Sequence, residues 1–190
     1  MDTQQESKVK KLGVFSLAQG REIGLSQQEI SRLVASKDLK RVGRGIYLHP
    51  EAKLDGNVGF QVAYAKFGPD AAIGGLSALF HYNLSEQVPG EVWVLVPPEK
   101  RTRVQGYKLL RTKTSLDKEI VDEKGYRIVT VERAILEGLK LITRIGERTA
   151  IKAAREALAN RHTSEIRLAR AAKELGLESV LGKYLEVITP

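Results

Sequence analysis

The sequence predicts an α+β fold built in two parts, and three observations lead to this prediction. Two short helical patterns joined by a glycine turn run into a basic hairpin over residues 16–48. An apolar run, Val92–Val96, has the composition of a buried strand and is followed by further strand patterns. The last part of the chain repeats apolar residues at helical spacing. We interpret the chain as an N-terminal winged helix-turn-helix followed by a mixed α/β domain that ends in a helical bundle.

Two capping boxes mark the starts of the N-terminal helix pair. Ser26 and Glu29 are three residues apart, so the serine hydroxyl can accept from the third helical amide while the glutamate binds the serine amide. Ser16 and Gln19 repeat this pattern one helix earlier. Gly24 suits the left-handed residue that ends a helix. The turn between the helices is therefore about three residues long, as in helix pairs that read DNA.

The second helix of the pair, which starts at Gln27, is expected to have one buried and one polar face. Ile30, Leu33 and Val34 lie at i, i+3 and i+4 and predict an apolar stripe. The opposite face carries no acidic residue and consists of Gln28, Arg32, Ala35 and Ser36. Because Gln can pair with adenine and Arg with guanine through two hydrogen bonds each, we expect this face to contact base edges.

A basic hairpin follows the helix pair. Residues 39–48 predict two short strands that turn at Gly43, Arg44 and Gly45. A cation on such a projecting turn can enter a minor groove or lie along phosphates. The candidate DNA-binding residues of the helix and hairpin are Gln27, Gln28, Ser31, Arg32, Lys37, Lys40, Arg41 and Arg44.

The composition favours a polyanionic partner. The 190 residues include 31 Lys plus Arg against 23 Asp plus Glu, which gives a net charge of +8. The absence of cysteine excludes disulfides and thiolate metal sites. The first residues lack the apolar core of a signal peptide, and no stretch approaches the roughly eighteen apolar residues of a membrane span. We therefore expect a cytoplasmic protein without a membrane segment or cofactor.

The positive charge is concentrated in two zones. Residues 1–54 carry 10 basic and 6 acidic side chains, and residues 99–113 carry 6 basic and 1 acidic side chain. The intervening residues 55–98 carry 1 basic and 4 acidic side chains. A second nucleic-acid surface or simply a solvated face is formed by Lys100, Arg101, Arg103, Lys108, Arg111 and Lys113.

The remaining patterns define the second domain. Pro, Gly and charged residues without periodicity over residues 50–56 indicate a linker, so we place one domain at 1–54 and the other at 55–190. A second strand is predicted at 104–111 and a hairpin over 120–129. Thr130 is a candidate cap for an apolar helix, and a later helix is expected to start at Thr163 and end at Gly176.

Two other function classes remain open. A protein-interaction module would use the helical second domain and leave the winged helix incidental. A Mg²⁺-dependent nuclease would need carboxylates near strand ends, where the sequence offers Asp70, Glu91 and Glu99, with Lys100 as an accompanying cation. No carboxylate-x-Lys pair lies on a predicted strand, and the histidines at 49, 81 and 162 lack the spacing of metal ligands. We therefore expect neither catalysis nor a metal site.

Short motifs in a fixed order resemble those of AbiEi-type antitoxins from type IV toxin–antitoxin systems. The stretch 13–47, including Arg-Gly-Ile-Tyr at 44–47, resembles their winged-helix region. Ser-Ala-Leu at 77–79 followed by Leu84, Glu-Arg at 132–133, and the helical segments 167–172 and 177–185 are similar to later elements. The resemblance implies a regulator that binds inverted repeats in its own promoter and represses it. It also implies a second domain that opposes a nucleotidyltransferase-like toxin.

Overall fold

The structure is a computed structural model that describes residues 3–52, 57–101 and 104–189. It shows a mixed α+β architecture, with helices at the N-terminus and a helical region at the C-terminus. The chain divides into two compact units, one reaching to Gly68 and including Lys124–Tyr126, the other containing Pro69–Glu123 and the residues from Arg127 onward. Part of the expected linker, residues 53–56, lies outside the described residues. The expected domain boundary after residue 54 falls in the same stretch.

The first unit combines four helices and three strands among its described residues. In chain order these are α1 (Thr3–Leu12), β1 (Val14–Ser16), α2 (Leu17–Glu22), α3 (Gln27–Ala35), β2 (Lys40–Gly43), β3 (Ile46–Leu48) and α4 (Val58–Phe67). The strands form an antiparallel sheet in the order β1-β3-β2, in which Phe15 lies opposite Tyr47. The predicted order of two helices followed by a two-stranded hairpin is thus present.

A small apolar core holds the first unit together. Its fully buried members come from α1, β1, the α2–α3 turn, α3 and the residue before β2, namely Val9, Phe15, Leu25, Ile30 and Leu39. Burial of each of these side chains stabilises the folded unit by about 2 kcal/mol. Leu25 and Ile30 flank the start of α3 and both join this core, as expected of a hydrophobic staple.

The second unit is built on a five-stranded sheet flanked by helices. Its strands are β4 (Ala72–Ile73), β5 (Val92–Val96), β6 (Tyr107–Arg111), β7 (Ile120–Glu123) and β8 (Tyr126–Val129), in the order β6-β5-β4-β8-β7. Its helices are α5 (Gly75–His81), α6 (Val131–Lys140), α7 (Ile142–Ile145), α8 (Glu147–Ala159), α9 (Glu165–Leu175) and α10 (Glu178–Ile188). The apolar strand β5 lies inside the sheet, as predicted, with β6 parallel and β4 antiparallel to it.

Helix α6 is the centre of the helical region. It contacts α5, α8, α9 and α10, and its residues from Glu132 to Leu139 are all buried. Thr130 caps it as predicted, because its hydroxyl accepts from the Arg133 amide at 3.2 Å. Contacts with helices on several sides bury even three of its charged residues, Glu132, Arg133 and Glu137.

Two predicted boundaries in the second unit are wrong by a few residues. Strand β6 starts at Tyr107 and not at Val104, because the glycine before it, Gly106, has a φ of +84° that breaks an extended run. Helix α9 starts at Glu165, capped by Ser164, and not at Thr163. The Thr163 hydroxyl instead donates to Glu132 at 2.7 Å, so this side chain makes a tertiary contact ahead of the helix.

No helix among the described residues is long and apolar enough to cross a membrane.

Candidate nucleic-acid interface

Both predicted capping boxes of the helix pair are present. The Ser26 amide donates to Glu29 at 2.8 Å and the Glu29 amide donates to the Ser26 hydroxyl at 3.2 Å. Ser16 and Gln19 make the same two bonds at 2.8 and 3.2 Å. Hydrogen bonding from Ser26 also holds the pKa of Glu29 below its ordinary value. These bonds fix where each helix starts, because they satisfy amides that have no partner within the helix.

The turn between α2 and α3 is tight. It consists of residues 23–26 and contains Gly24 at φ +89°, in the left-handed region that favours glycine. The Leu25 amide donates to the Gly20 carbonyl at 2.9 Å. Gly20 itself lies so close to α3 that an added Cβ would come within 2.9 Å of the Ile30 Cδ1 atom. The two helices are therefore held at one fixed, close separation.

Helix α3 separates a buried from an exposed face as predicted. Ile30 is fully buried, and Leu33 and Val34 are partly buried against the same core. The side chains expected to contact bases are all exposed, namely Gln27, Gln28, Ser31 and Arg32. The Ser31 hydroxyl donates to the Gln27 carbonyl at 2.9 Å, which leaves its lone pairs for an incoming donor.

An acidic residue lies just past the end of α3, beyond the face that was predicted to be free of acids. Asp38 follows the helix, and its carboxylate accepts a hydrogen bond from the Ser36 hydroxyl at 2.7 Å. That hydroxyl also donates toward the Arg32 carbonyl at 3.1 Å. The pattern missed this contact because Asp38 lies outside the helical period.

Lys37 ends α3 in an unusual backbone conformation. Its φ is +67°, and the Leu39 amide closes the helix by donating to the Leu33 carbonyl at 3.0 Å. Glycine is the usual residue at this position. A lysine there bears a conformational cost, and its side chain is exposed just past the end of α3.

The hairpin presents its cations as predicted. Arg44 is exposed in the turn between β2 and β3, next to Gly45 at φ +72°. The Gly45 carbonyl accepts from the Leu17 amide at 2.9 Å. This bond holds the hairpin turn against the start of α2. The hairpin and the helix pair are therefore fixed relative to each other. Arg41 folds along the turn, with its Nε donating to the Gly43 carbonyl at 3.3 Å.

The cations of α3 and the hairpin form no ion pairs among the described residues. Among the described residues, no carboxylate lies within ion-pair distance of Arg32, Lys37, Lys40, Arg41 or Arg44. All five are exposed. In contrast, Lys10 on α1 binds Glu6 and Glu51 at 3.4 and 2.6 Å. These cations can therefore meet phosphates without first breaking an ion pair.

Residues 8–50 match the family model of the transcriptional regulator, AbiEi antitoxin. This match confirms the resemblance to AbiEi antitoxins over the segment that holds most of α1 and all of the helix pair and hairpin. It covers less than half of the chain, so the similar motifs of the second unit remain predictions. No curated protein matches the chain.

The second basic zone, residues 99–113, lies beyond the AbiEi antitoxin match. Two of its cations make contacts within the second unit. The Lys108 ammonium sits 3.9 Å from the centroid of the Trp93 ring. The Arg111 Nε donates to the Lys100 carbonyl at 3.0 Å, which holds the guanidinium beside the end of β6. Arg101 and Lys113 are exposed. Arg103 lies outside the described residues.

The carboxylates considered for a nuclease are not gathered in one place. Asp70 and Glu99 line a depression of about 460 Å³ together with Lys113 and Arg127, whereas Glu91 is not part of it. Among the described residues, no three His, Asp or Glu side chains are placed to hold a metal ion.

The Glu-Arg motif at 132–133, similar to an AbiEi antitoxin element, forms a buried polar network that the sequence did not reveal. The Arg133 side chain is inaccessible and donates to the carbonyls of Ser115 and Lys118 at 2.8 and 2.6 Å. Its Nε binds Glu137 one turn later at 2.8 Å. Burial raises the pKa of Glu137 despite this cation. A charged pair spaced by one turn usually indicates a solvated helix face, and only burial distinguishes this case.

Proposed function

We propose that the chain is a DNA-binding transcriptional regulator that acts as the antitoxin of a type IV toxin–antitoxin system. In this proposal the first unit is a winged helix-turn-helix, with α3 as the recognition helix and the β2–β3 hairpin as the wing. The observation that carries it is the set of exposed cations without an acidic partner on these two elements. The AbiEi antitoxin match over residues 8–50 supports the same assignment.

The proposed contacts divide between base edges and backbone. Helix α3 enters the major groove, where Gln27, Gln28, Ser31 and Arg32 approach bases, because these side chains occupy its first two turns. Lys37, Lys40, Arg41 and Arg44 hold phosphates or enter the adjacent minor groove. A promoter with inverted repeats would receive one such unit on each half-site.

The second unit supplies the antitoxin role in this proposal. It opposes a nucleotidyltransferase-like toxin, while the first unit represses the shared promoter in the cytoplasm. The chain itself carries out no catalysis. Support for this part comes from the matched family, which consists of antitoxin transcriptional regulators, and from the order of short motifs in the second unit.

The base-reading part of the proposal is tested with Arg32→Ala. Because Arg32 is exposed one turn after Gln28, its loss should weaken binding to operator DNA by about 1–3 kcal/mol and relax the sequence preference. Fluorescence anisotropy on DNA from upstream of the gene, compared with shuffled DNA, measures both. Equal losses on operator and shuffled DNA would show that Arg32 does not read a base.

The backbone-contact part is tested with Arg44→Ala. Removing this cation should weaken operator and shuffled DNA alike and reduce the slope of log affinity against log salt by about one. Arg170→Ala is the matched control, because Arg170 is an exposed arginine on α9 in the second unit. An unchanged salt slope for Arg44→Ala, or an equal effect of Arg170→Ala, would contradict the proposed role of the hairpin.

The antitoxin part needs the product of the neighbouring reading frame. Expression of that product alone should arrest growth, and coexpression with this chain should restore it. Arg32→Ala should still restore growth when both genes are driven by foreign promoters, because repression and toxin opposition reside in different units. Failure of the wild-type chain to restore growth would refute the antitoxin role without contradicting the proposal that the chain binds DNA.

A further inference from the structure

Strand β6 forms one border of the five-stranded sheet. Its only neighbour in the sheet is β5, and among the described residues no strand pairs with its other side. An uncovered border strand offers main-chain donors and acceptors to a further strand. Natural proteins use such borders to bind extended peptides.

The hydrogen bonds to β5 determine which main-chain groups of β6 point outward. The Val92 amide donates to the Gly106 carbonyl and the Thr112 amide donates to the Val96 carbonyl, at 2.9 and 3.0 Å. In a parallel ladder with the register Val94 to Leu109, alternate residues of β6 bond inward. The main-chain amides and carbonyls of Lys108 and Leu110 therefore point toward β5. The amides and carbonyls of Leu109 and Arg111 face away from the sheet.

The segment of the sequence that contains β6 is strongly basic. Residues 99–113 carry 6 basic and 1 acidic side chain. Arg111 is held beside the strand by its bond to the Lys100 carbonyl, and Lys108 lies over the Trp93 ring. Like charges on a second identical strand would repel, which disfavours pairing of β6 with β6 of another copy.

We propose that the β6 border binds an acidic, extended segment of a partner protein as an added strand. The outward groups decide between this partner and a nucleic acid. Donors and acceptors alternate along Leu109 and Arg111, which is the pattern that another main chain completes. A phosphodiester offers acceptors alone, so the outward carbonyls would repel it. The cations then select acidic side chains on the incoming strand.

The test uses a fluorescein-labelled peptide of about nine alternating Glu and Val residues, titrated with the full chain. Leu109→Pro removes one outward amide and places its ring on the border, a change that a border strand tolerates. Leu109→Val keeps the amide and is the matched control. The wild type and Leu109→Val should bind the peptide, and Leu109→Pro should bind about tenfold more weakly with an unchanged circular dichroism spectrum.

A second peptide keeps the proposal falsifiable if Leu109→Pro fails to fold. N-methylation of every amide leaves the charge of the peptide intact but removes the donors along both of its edges, and it should abolish binding to the wild type. Equal binding of the methylated peptide would overturn the proposal, because attraction would then come from charge alone. Displacement of the peptide by a shuffled DNA duplex would also overturn it, because the border would then serve a nucleic acid.

Discussion

Lys37 is the residue at which folding and the proposed DNA contact oppose each other. Its φ of +67° is costly for any residue with a Cβ. Lys37→Gly should therefore stabilise the protein by about 1 kcal/mol while weakening DNA binding through the lost charge. Lys37→Ala is the matched control, because it removes the charge and keeps the conformational cost. Urea denaturation and DNA titration of both variants measure the two effects, and a gain in stability for both would contradict the backbone argument.

Glu137 should make stability depend on pH in a direction opposite to most carboxylates. Burial raises its pKa above the ordinary 4.5, so the folded protein keeps the proton where the unfolded chain has lost it. Its stabilising effect is complete below pH 4.5 and is lost as the pH rises through the folded-state pKa. Glu137→Gln should therefore lose less stability than the wild type as the pH rises above 4.5, measured by urea denaturation.

Glu86 provides the control of opposite sign. It is exposed, and its hydrogen bond with Lys152 at 2.8 Å holds its pKa below the ordinary value. Any stability from this carboxylate is present above pH 4.5 and disappears as the pH falls through its folded-state pKa. Glu86→Gln should leave the loss of stability above pH 4.5 unchanged. If Glu86→Gln and Glu137→Gln had equal effects there, burial of Glu137 would not be the cause.

At the scale of single elements, the sequence predicts the features that depend only on neighbouring residues. Ser26 and Glu29 carry their own bonding pattern, so the start of α3 follows from four consecutive residues. Thr163 could not be placed in this way, because its partner, Glu132, lies 31 residues earlier in the chain. The same reason hid the buried Arg133, whose acceptors lie 15 and 18 residues earlier. The candidate interface was predictable because nearly all of it lies within one short segment.

The contact of α5 with β5 gives a prediction at the same scale. A Cβ on Gly74 would lie 1.7 Å from the Leu95 Cδ1 atom, and Leu95 is buried inside the sheet. Gly74→Ala should therefore destabilise the protein by about 1–3 kcal/mol. Gly90→Ala is the matched control, since nothing lies within 4 Å of a Cβ there. Thermal unfolding compares the variants, and similar midpoints would show that the strand shifts to accommodate the methyl group.

For the whole molecule, the net charge of +8 gives no indication of where a polyanion binds. The local arrangement separates the two basic zones. The first zone places exposed cations on α3 and the hairpin, whereas the second places Lys108 over the Trp93 ring and Arg111 against the Lys100 carbonyl at the border of the sheet. Composition and charge counting could not predict this difference, because it depends on side-chain contacts within each unit.

Hydrogen exchange measured by mass spectrometry distinguishes the two zones directly. Operator DNA should slow exchange in peptides that cover α3 and the hairpin, residues 27–48, because docking on these elements suppresses local opening. Peptides that cover β6, Tyr107–Arg111, should exchange at the same rate with and without DNA. The acidic Glu-Val peptide should produce the reverse pattern. Slower exchange in β6 on addition of DNA would instead place the second basic zone on the duplex and enlarge the DNA footprint to both units.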